Sequence, residues 1–227
     1  MIFGNASGRR RSQERALVQP IRTHGVLRTP VRAFAVRLHA AGLSLRETAA
    51  ILELLDVQRS HQAIWQWKEQ LADSAPDPPE AKPTRVAVDE TAVKINGEWK
   101  WVYAAIDVET KLLLDIALFA RHGTDPAATF LHGVAEKHDV SEAVFLVDGF
   151  GYSTALSRLG LSGRLDYTTR NLIEKWFHTL KMRTDRFHTS WVGSRTAVRR
   201  LLHQFRLYYN RHRPHQSLNE HPPAEVI

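Results

Sequence analysis

The chain has 227 residues, 43% of them hydrophobic, enough to bury a sizeable core in one medium domain plus a small accessory one. Lysine and arginine outnumber aspartate and glutamate by 31 to 24, giving a net charge of +7 and a pI near 9.9; this favours a polyanionic partner, although many merely soluble proteins carry as much. The absence of cysteine excludes disulfides and thiolate metal sites, and no stretch resembles a signal peptide or reaches the roughly 18 apolar residues of a membrane helix, so a soluble cytoplasmic protein with no membrane partner is expected.

Residues 1–30 are Arg-rich and aperiodic, with Arg9, Arg10 and Arg11 in a row, and read either as a basic arm that contacts phosphates or as a solvated tail. From Val31 the spacing becomes helical, with Val31, Phe34, Ala35 and Leu38 on one face and a stop at Ala41-Gly42. Ser44-Leu45-Arg46-Glu47 is a capping box that opens a second helix, packed through Leu45, Thr48, Ala49, Leu52 and Leu55. A third helix is expected over about 60–72, anchored by Ile64, Trp67 and Leu71. Residues 31–72 thus form a helix-turn-helix, and Arg59, Ser60, His61, Gln62 and Gln66 on the outer side of the third helix are groups that reach base edges and phosphates. The alternative is an ordinary three-helix packing module with a polar face.

Residues 73–84 hold four prolines and few apolar side chains, which predicts a stiff linker. The period then changes. Strands are predicted over 85–95, 99–107 and 112–120, the first two joined at Asn96-Gly97. A helix over 125–137, a buried strand over 143–147, a helix near 153–159, a weak fifth strand near 164–168 and helices over 171–183 and 194–209 follow. Arg195, Arg199, Arg200 and Arg206 fall on the flanks of the last helix. The order over residues 85–227 predicts an α/β sheet flanked by helices, preceded by the small all-α domain.

Three carboxylates carry the chemical reading. Asp89 interrupts the first strand after Val86-Ala87-Val88, and Asp148 ends the fourth after Val144-Phe145-Leu146-Val147. A carboxylate at such a position is costly unless paired or coordinated. If these strands are neighbours, both acids face one point. The third acid, Glu174, lies on the helix whose apolar face is Leu172, Ile173, Trp176, Phe177 and Leu180, and shares the polar face with Asn171, His178 and Lys181. Three acids without thiols or paired histidines describe a hard oxygen-ligand site for Mg²⁺ or Mn²⁺, and two such ions would assist in-line attack at phosphorus. Taken singly, Asp89 could be a strand residue bonded to backbone and Asp148 a turn aspartate. Glu90 should point to the opposite face from Asp89 by strand alternation. Asp107, Glu109 and Asp115, at or near strand ends, read as exposed or turn-forming.

Val88-Asp89-Glu90-Thr91, Val147-Asp148-Gly149 and Arg170-Asn171-x-x-Glu174 resemble the DDE transposases of small insertion sequences. So does the ending Tyr209-Asn210-x-x-Arg213-Pro214-His215-x-Ser217-Leu218 with Pro223-Ala224-Glu225, most closely the family that forms cointegrates by replicative transposition. The resemblance implies a ribonuclease-H-like catalytic core and binding of the element's terminal inverted repeats. It also implies nicking to free a 3′-OH, joining of that end to target DNA, and a homodimer or higher assembly that brings two ends together. Asp89, Asp148 and Glu174 would hold two metal ions, Lys181 would contact phosphate, and Asn171 would orient Glu174 or the DNA; His178, by its own position one turn from Glu174, is a further candidate for supporting the site. Asp148 and Glu174 are separated by 25 residues (174 − 148 − 1), fewer than in most members of that family. A non-catalytic DNA-binding regulator derived from such an enzyme and a nuclease that cuts without joining are the alternatives.

Overall fold

The computed structural model describes residues 30–73, 76–166, 170–184 and 194–227. Arg9, Arg10 and Arg11 lie outside the described residues, as do positions 167–169 ahead of the helix that carries Glu174. The chain divides between Ser74 and Ala75 into two compact units.

The first unit holds α1 (Pro30–Ala40), α2 (Leu45–Glu53) and α3 (His61–Asp73). The capping box forms at the start of α2: the Glu47 amide donates to Ser44 Oγ at 3.1 Å and the Ser44 amide to the Glu47 carboxylate at 2.7 Å. Ile64, Trp67 and Leu71 are buried as their spacing predicts, against Ala33, Ala35, Val36, Thr48 and Leu52. Two details differ from the periodicity. The fully packed face of α1 is Ala33, Ala35 and Val36, short side chains that suit close helix approach, while Val31, Phe34 and Leu38 are half-buried. Helix α2 ends at Glu53, so Leu55 falls in the turn that closes through Asp56 (φ 59°) and is 56% exposed.

The second unit contains β1 (Arg85–Ile95), β2 (Glu98–Asp107), β3 (Leu113–Phe119), α4 (Thr124–Lys137), β4 (Val144–Val147), α5 (Phe150–Leu159), β5 (Gly163–Leu165), α6 (Arg170–Thr184) and α7 (Arg195–Arg211), followed by two 3₁₀ turns. Asn96 (φ 50°) and Gly97 (φ 84°) both adopt the left-handed conformation that a two-residue hairpin turn requires. The sheet order is β3-β2-β1-β4-β5: β1, β2 and β3 run antiparallel, and β4 and β5 add parallel to β1. Alternation along the strands creates two cores. Val86, Val88, Tyr103, Phe145 and Val147 pack with α4 and α5 through Phe130, Leu131, Val134 and Leu156. Ala87, Val93, Val102, Ala104 and Ile106 pack with α6 and α7 through Ile173, Trp176, Leu180, Leu202 and Phe205. This mixed five-stranded sheet between two helical layers is the helix-flanked α/β sheet expected from the element order, in the ribonuclease-H-like arrangement that the family resemblance implies.

Two features depart from the reading of single segments. Ala81 and Pro83, inside the Pro-rich stretch, are buried on the second unit, and the Ala81 carbonyl accepts from the Asp139 amide at 3.0 Å. Arg206 and Asp115, read as a flanking cation and a strand-end acid, are 3% and 6% exposed. Arg206 donates to Asp115 at 3.2 Å and to Asp77 at 3.0 Å, and Lys137 donates to Asp115 at 2.8 Å. A buried carboxylate is tolerable only with such partners.

Candidate active site

Two adjacent parallel strands position the first two acids. Val86 pairs with Phe145 and Ala87 with Leu146. Continued by two residues, this register sets Asp89 level with Asp148, which directly follows β4. Neighbouring strands lie about 4.8 Å apart. Asp89 is half-buried, occupies the ladder opposite Ala104 and accepts the Glu90 amide at 2.8 Å. It shares its sheet face with Ala87 and Val93, the face covered by α6 and α7. Asp148 is also half-buried and leads through Gly149 into α5.

Helix α6 is clamped to that same face by Ile173, Trp176, Phe177 and Leu180, each at most 4% exposed. Trp176 meets Phe177, Phe205 and Tyr209 edge-on at ring separations of 5.0, 5.5 and 6.4 Å. Burial of this stripe turns Glu174, His178 and Lys181 outward, where all three are exposed. Asn171 belongs to α6, and its side chain lies outside the described residues. The structure therefore puts Asp89 and Asp148 on neighbouring strands, just past the last pair of the β1–β4 ladder, and mounts Glu174 on a helix packed over the sheet face of Asp89. Among the described residues no three His, Asp or Glu side chains gather closely enough to hold an ion. The donors themselves, carboxylate oxygens without sulfur or paired imidazoles, suit Mg²⁺ or Mn²⁺.

Glu90 does point to the opposite face, and what it meets there was not legible in the spacing. The Tyr152 hydroxyl on α5 donates a hydrogen bond to its carboxylate. Tyr103 stands 6.1 Å from Tyr152, ring to ring, and its hydroxyl accepts the Gly123 amide at 3.2 Å. Burial pushes the Glu90 carboxyl above the usual glutamate range despite the Tyr152 hydrogen bond, and the nearby Asp148 charge adds to the rise. Burial and Glu90 likewise push Tyr103 up to about 12 and Tyr152 well above 10. The only local signal was Tyr152 itself, four residues beyond Asp148 and the third residue of α5.

Residues 83–183, which hold all three acids, match the family described as a DDE domain. The second unit carries a DDE domain. Residues 165–223, from the end of β5 to the start of the last C-terminal turn of this unit, also match the family described as an integrase core domain. Uncharacterized protein MJ0017 of Methanocaldococcus jannaschii is 25% identical over 183 residues, covering 79% of this chain and 85% of its own. Among solved structures, a chain of the simian T-cell lymphotropic virus intasome in complex with PP2A regulatory subunit B56 gamma is 13% identical, with 78% of this chain and 68% of that one covered at a TM-score of 0.41. The HTLV-2 integrase catalytic core domain in complex with magnesium, in its trimeric form, is 8% identical, with 62% and 94% covered at a TM-score of 0.44.

Apart from the DDE domain, the first unit has a polar cleft of about 700 Å³ between α2 and the start of α3, lined by Arg46, Gln58, Arg59, Ser60 and His61. Ser60 Oγ accepts the Ala63 amide at 3.2 Å and so caps α3. Gln62 and Gln66 are exposed, as is Trp65 at 49%, an aromatic on the outer side of α3 that the polar pattern passed over. No described helix is long and apolar enough to cross a membrane.

Proposed function

We propose that this protein is a DNA transposase that binds the terminal inverted repeats of an insertion sequence, nicks them to free 3′-OH groups and joins those ends to target DNA. The observation that supports this best is the β1–β4 register, which, continued by two residues, would set Asp89 level with Asp148, within a DDE domain whose α6 carries Glu174 over the sheet face of Asp89. Asp89, Asp148 and Glu174 are the residues that would hold two Mg²⁺ or Mn²⁺ ions. Such ions supply charge stabilisation for the attacking and leaving oxygens at phosphorus.

In the first step water attacks the phosphorus at the element's end, the P–O3′ bond breaks, and the freed oxygen takes a proton to become the 3′-OH. In the second, that 3′-OH loses its proton and attacks a target phosphorus, displacing the target's own 3′ oxygen. Lys181, exposed two helical turns after Glu174, suits a phosphate contact beside the reacting strand. His178 stands one turn from Glu174, and Asn171, three residues before Glu174 in the sequence, would support the same site. Arg59, Ser60, His61, Gln62 and Gln66 on and before α3 read the repeats, with Ser60 also fixing the helix start. The arm with Arg9, Arg10 and Arg11 adds phosphate contacts, and a homodimer or larger assembly holds two ends together.

A strand-transfer assay with Mg²⁺ and duplex ends from the native locus tests the reading. Joined product that disappears in Asp89→Asn, Asp148→Asn and Glu174→Gln while DNA binding persists is the expected result. Cutting without joining would point to a nuclease, and tight binding with neither reaction to a regulator.

A further inference from the structure

The outer edge of the sheet carries a second charged feature, two strands away from the strand of Asp89. β3 is an edge strand, and residues 115–120 form the floor of a groove of about 350 Å³. One wall is Lys137 at the end of α4; the other is α7, with Arg195, Arg199, Leu202 and His203. Arg195, Arg199 and His203 succeed one another at four-residue spacing along one helical face, and all three are exposed. Among the described residues the groove's one acid, Asp115, is already engaged by Lys137 at 2.8 Å and Arg206 at 3.2 Å. Glu98, whose carboxylate senses Arg195, is paired with Lys100 at 2.7 Å. The rim is thus an excess of positive charge over a neutralised floor.

An open strand edge could instead pair with a strand of another copy. Here the backbone groups that such pairing needs are engaged by side chains. Asn210 receives the Leu113 amide and donates to the Leu113 carbonyl, both at 2.9 Å. His138 Nε2 lies 3.1 Å from the Leu114 carbonyl, and the Ile116 amide donates to Asp115 at 2.9 Å. Strand addition is therefore blocked along the first half of β3, and like charges on two copies would repel. A polyanion fits both conditions. Arg195 and Arg199 are separated along α7 by a rise of about 6 Å, close to that of two nucleotides at about 3.4 Å each.

From this geometry we infer that the β3–α7 groove is a sequence-independent docking track for the sugar–phosphate backbone of duplex DNA outside the reacting ends. The inference rests on the transposase reading for its choice of DNA as the polyanion. Fluorescence anisotropy of a labelled duplex of arbitrary sequence, titrated with the full chain over a series of salt concentrations, measures it directly. Loss of two phosphate contacts in Arg195→Glu/Arg199→Glu should make the slope of log K against log salt shallower by about 1.8. It should weaken all sequences alike, while Arg195→Lys/Arg199→Lys keeps the wild-type slope. Wild-type affinity and slope in the Glu variant would overturn the track, as would a change of oligomeric mass with DNA binding intact. The two readings fail separately. Arginine-dependent binding by a protein that joins no ends would leave the track standing and remove the transposase reading, whereas joining with an unaltered salt slope would do the reverse.

Discussion

Tyr152 donates its hydroxyl to Glu90 and so ties α5, which begins just after Asp148, to the strand that carries Asp89. The bond crosses from one core element to another on the face opposite Asp89, and it holds a half-buried carboxylate that has lost part of its water. Removing the donor leaves that carboxylate under-bonded. Tyr152→Phe should therefore cost about 1–3 kcal/mol of stability. Most of that cost should vanish when Glu90→Gln is already present, because an amide has no charge to desolvate. Urea unfolding of the two single variants and the double variant checks the coupling, and additive losses would show that the bond contributes little.

Arg206 joins α7 to β3 through Asp115 and reaches Asp77 on the segment before β1. Cutting the side chain back abandons Asp115 in a site where it is 6% exposed, with Lys137 as its remaining cation. Arg206→Ala should cost about 3–5 kcal/mol, the range for breaking a buried pair from one side. Restoring an apolar core in Arg206→Met/Asp115→Leu should recover much of the loss. Thermal unfolding of the set separates a pairing effect from simple cavity formation, since the latter would leave the double variant as weak as the single one.

These two contacts show where a chain can be read and where it cannot. The bounds of β1, the Asn96-Gly97 turn, the Ser44 capping box and the Ile173, Trp176, Phe177 and Leu180 stripe depend on neighbours within a few residues, and the structure reproduces them. The level placement of Asp89 and Asp148 was legible only as a condition, that the first and fourth strands be adjacent, which the β1–β4 ladder meets. Arg206 and Asp115 lie 91 positions apart and Tyr152 and Glu90 lie 62 apart, so no periodicity links them. Helical spacing put Arg206 on a flank because it cannot know that an acid on β3 waits beneath. Leu55 was misread for a local reason: the turn through Asp56 ends α2 before the apolar pattern does. Glu174 marks a different limit, since facing the right side of a helix does not fix its distance to two strand ends.

The first unit makes its own prediction on the DNA-binding reading. Gln62 is exposed on α3, and Arg59 lines the cleft just ahead of it. Gln62→Ala should lose about 1–3 kcal/mol of binding to the terminal repeats and relax discrimination at one base position. Arg59→Ala, if its partner is phosphate, should instead weaken every sequence alike and flatten the salt dependence by about one contact. Competition binding with repeat variants at several salt concentrations tells these patterns apart. Equal affinity for repeat and random duplex in the wild type would remove the helix-turn-helix from the recognition step.

His215 supplies a pH dependence for the second unit. Its ring lies 4.9 Å from Tyr209, edge to face, and its Nε2 is buried without a hydrogen-bond partner among the described residues. Burial lowers its pKa from 6.5 to about 4, and the Arg213 and Lys111 charges push the same way. A histidine whose folded pKa is depressed is held neutral by folding, so the unfolded chain binds the proton first as pH falls. The contribution is complete above 6.5 and is lost between 6.5 and about 4. Because the side chain is partly exposed, solvent screening should limit the loss to about 1–2 kcal/mol. His215→Gln, which cannot take up a proton, should unfold with a melting temperature less sensitive to pH across that window. Parallel melting curves from pH 7.5 down to 4.5 decide it: wild type and variant falling together would place the acid sensitivity elsewhere, with His39, His138 and His203, all lowered by burial, as the next groups to replace.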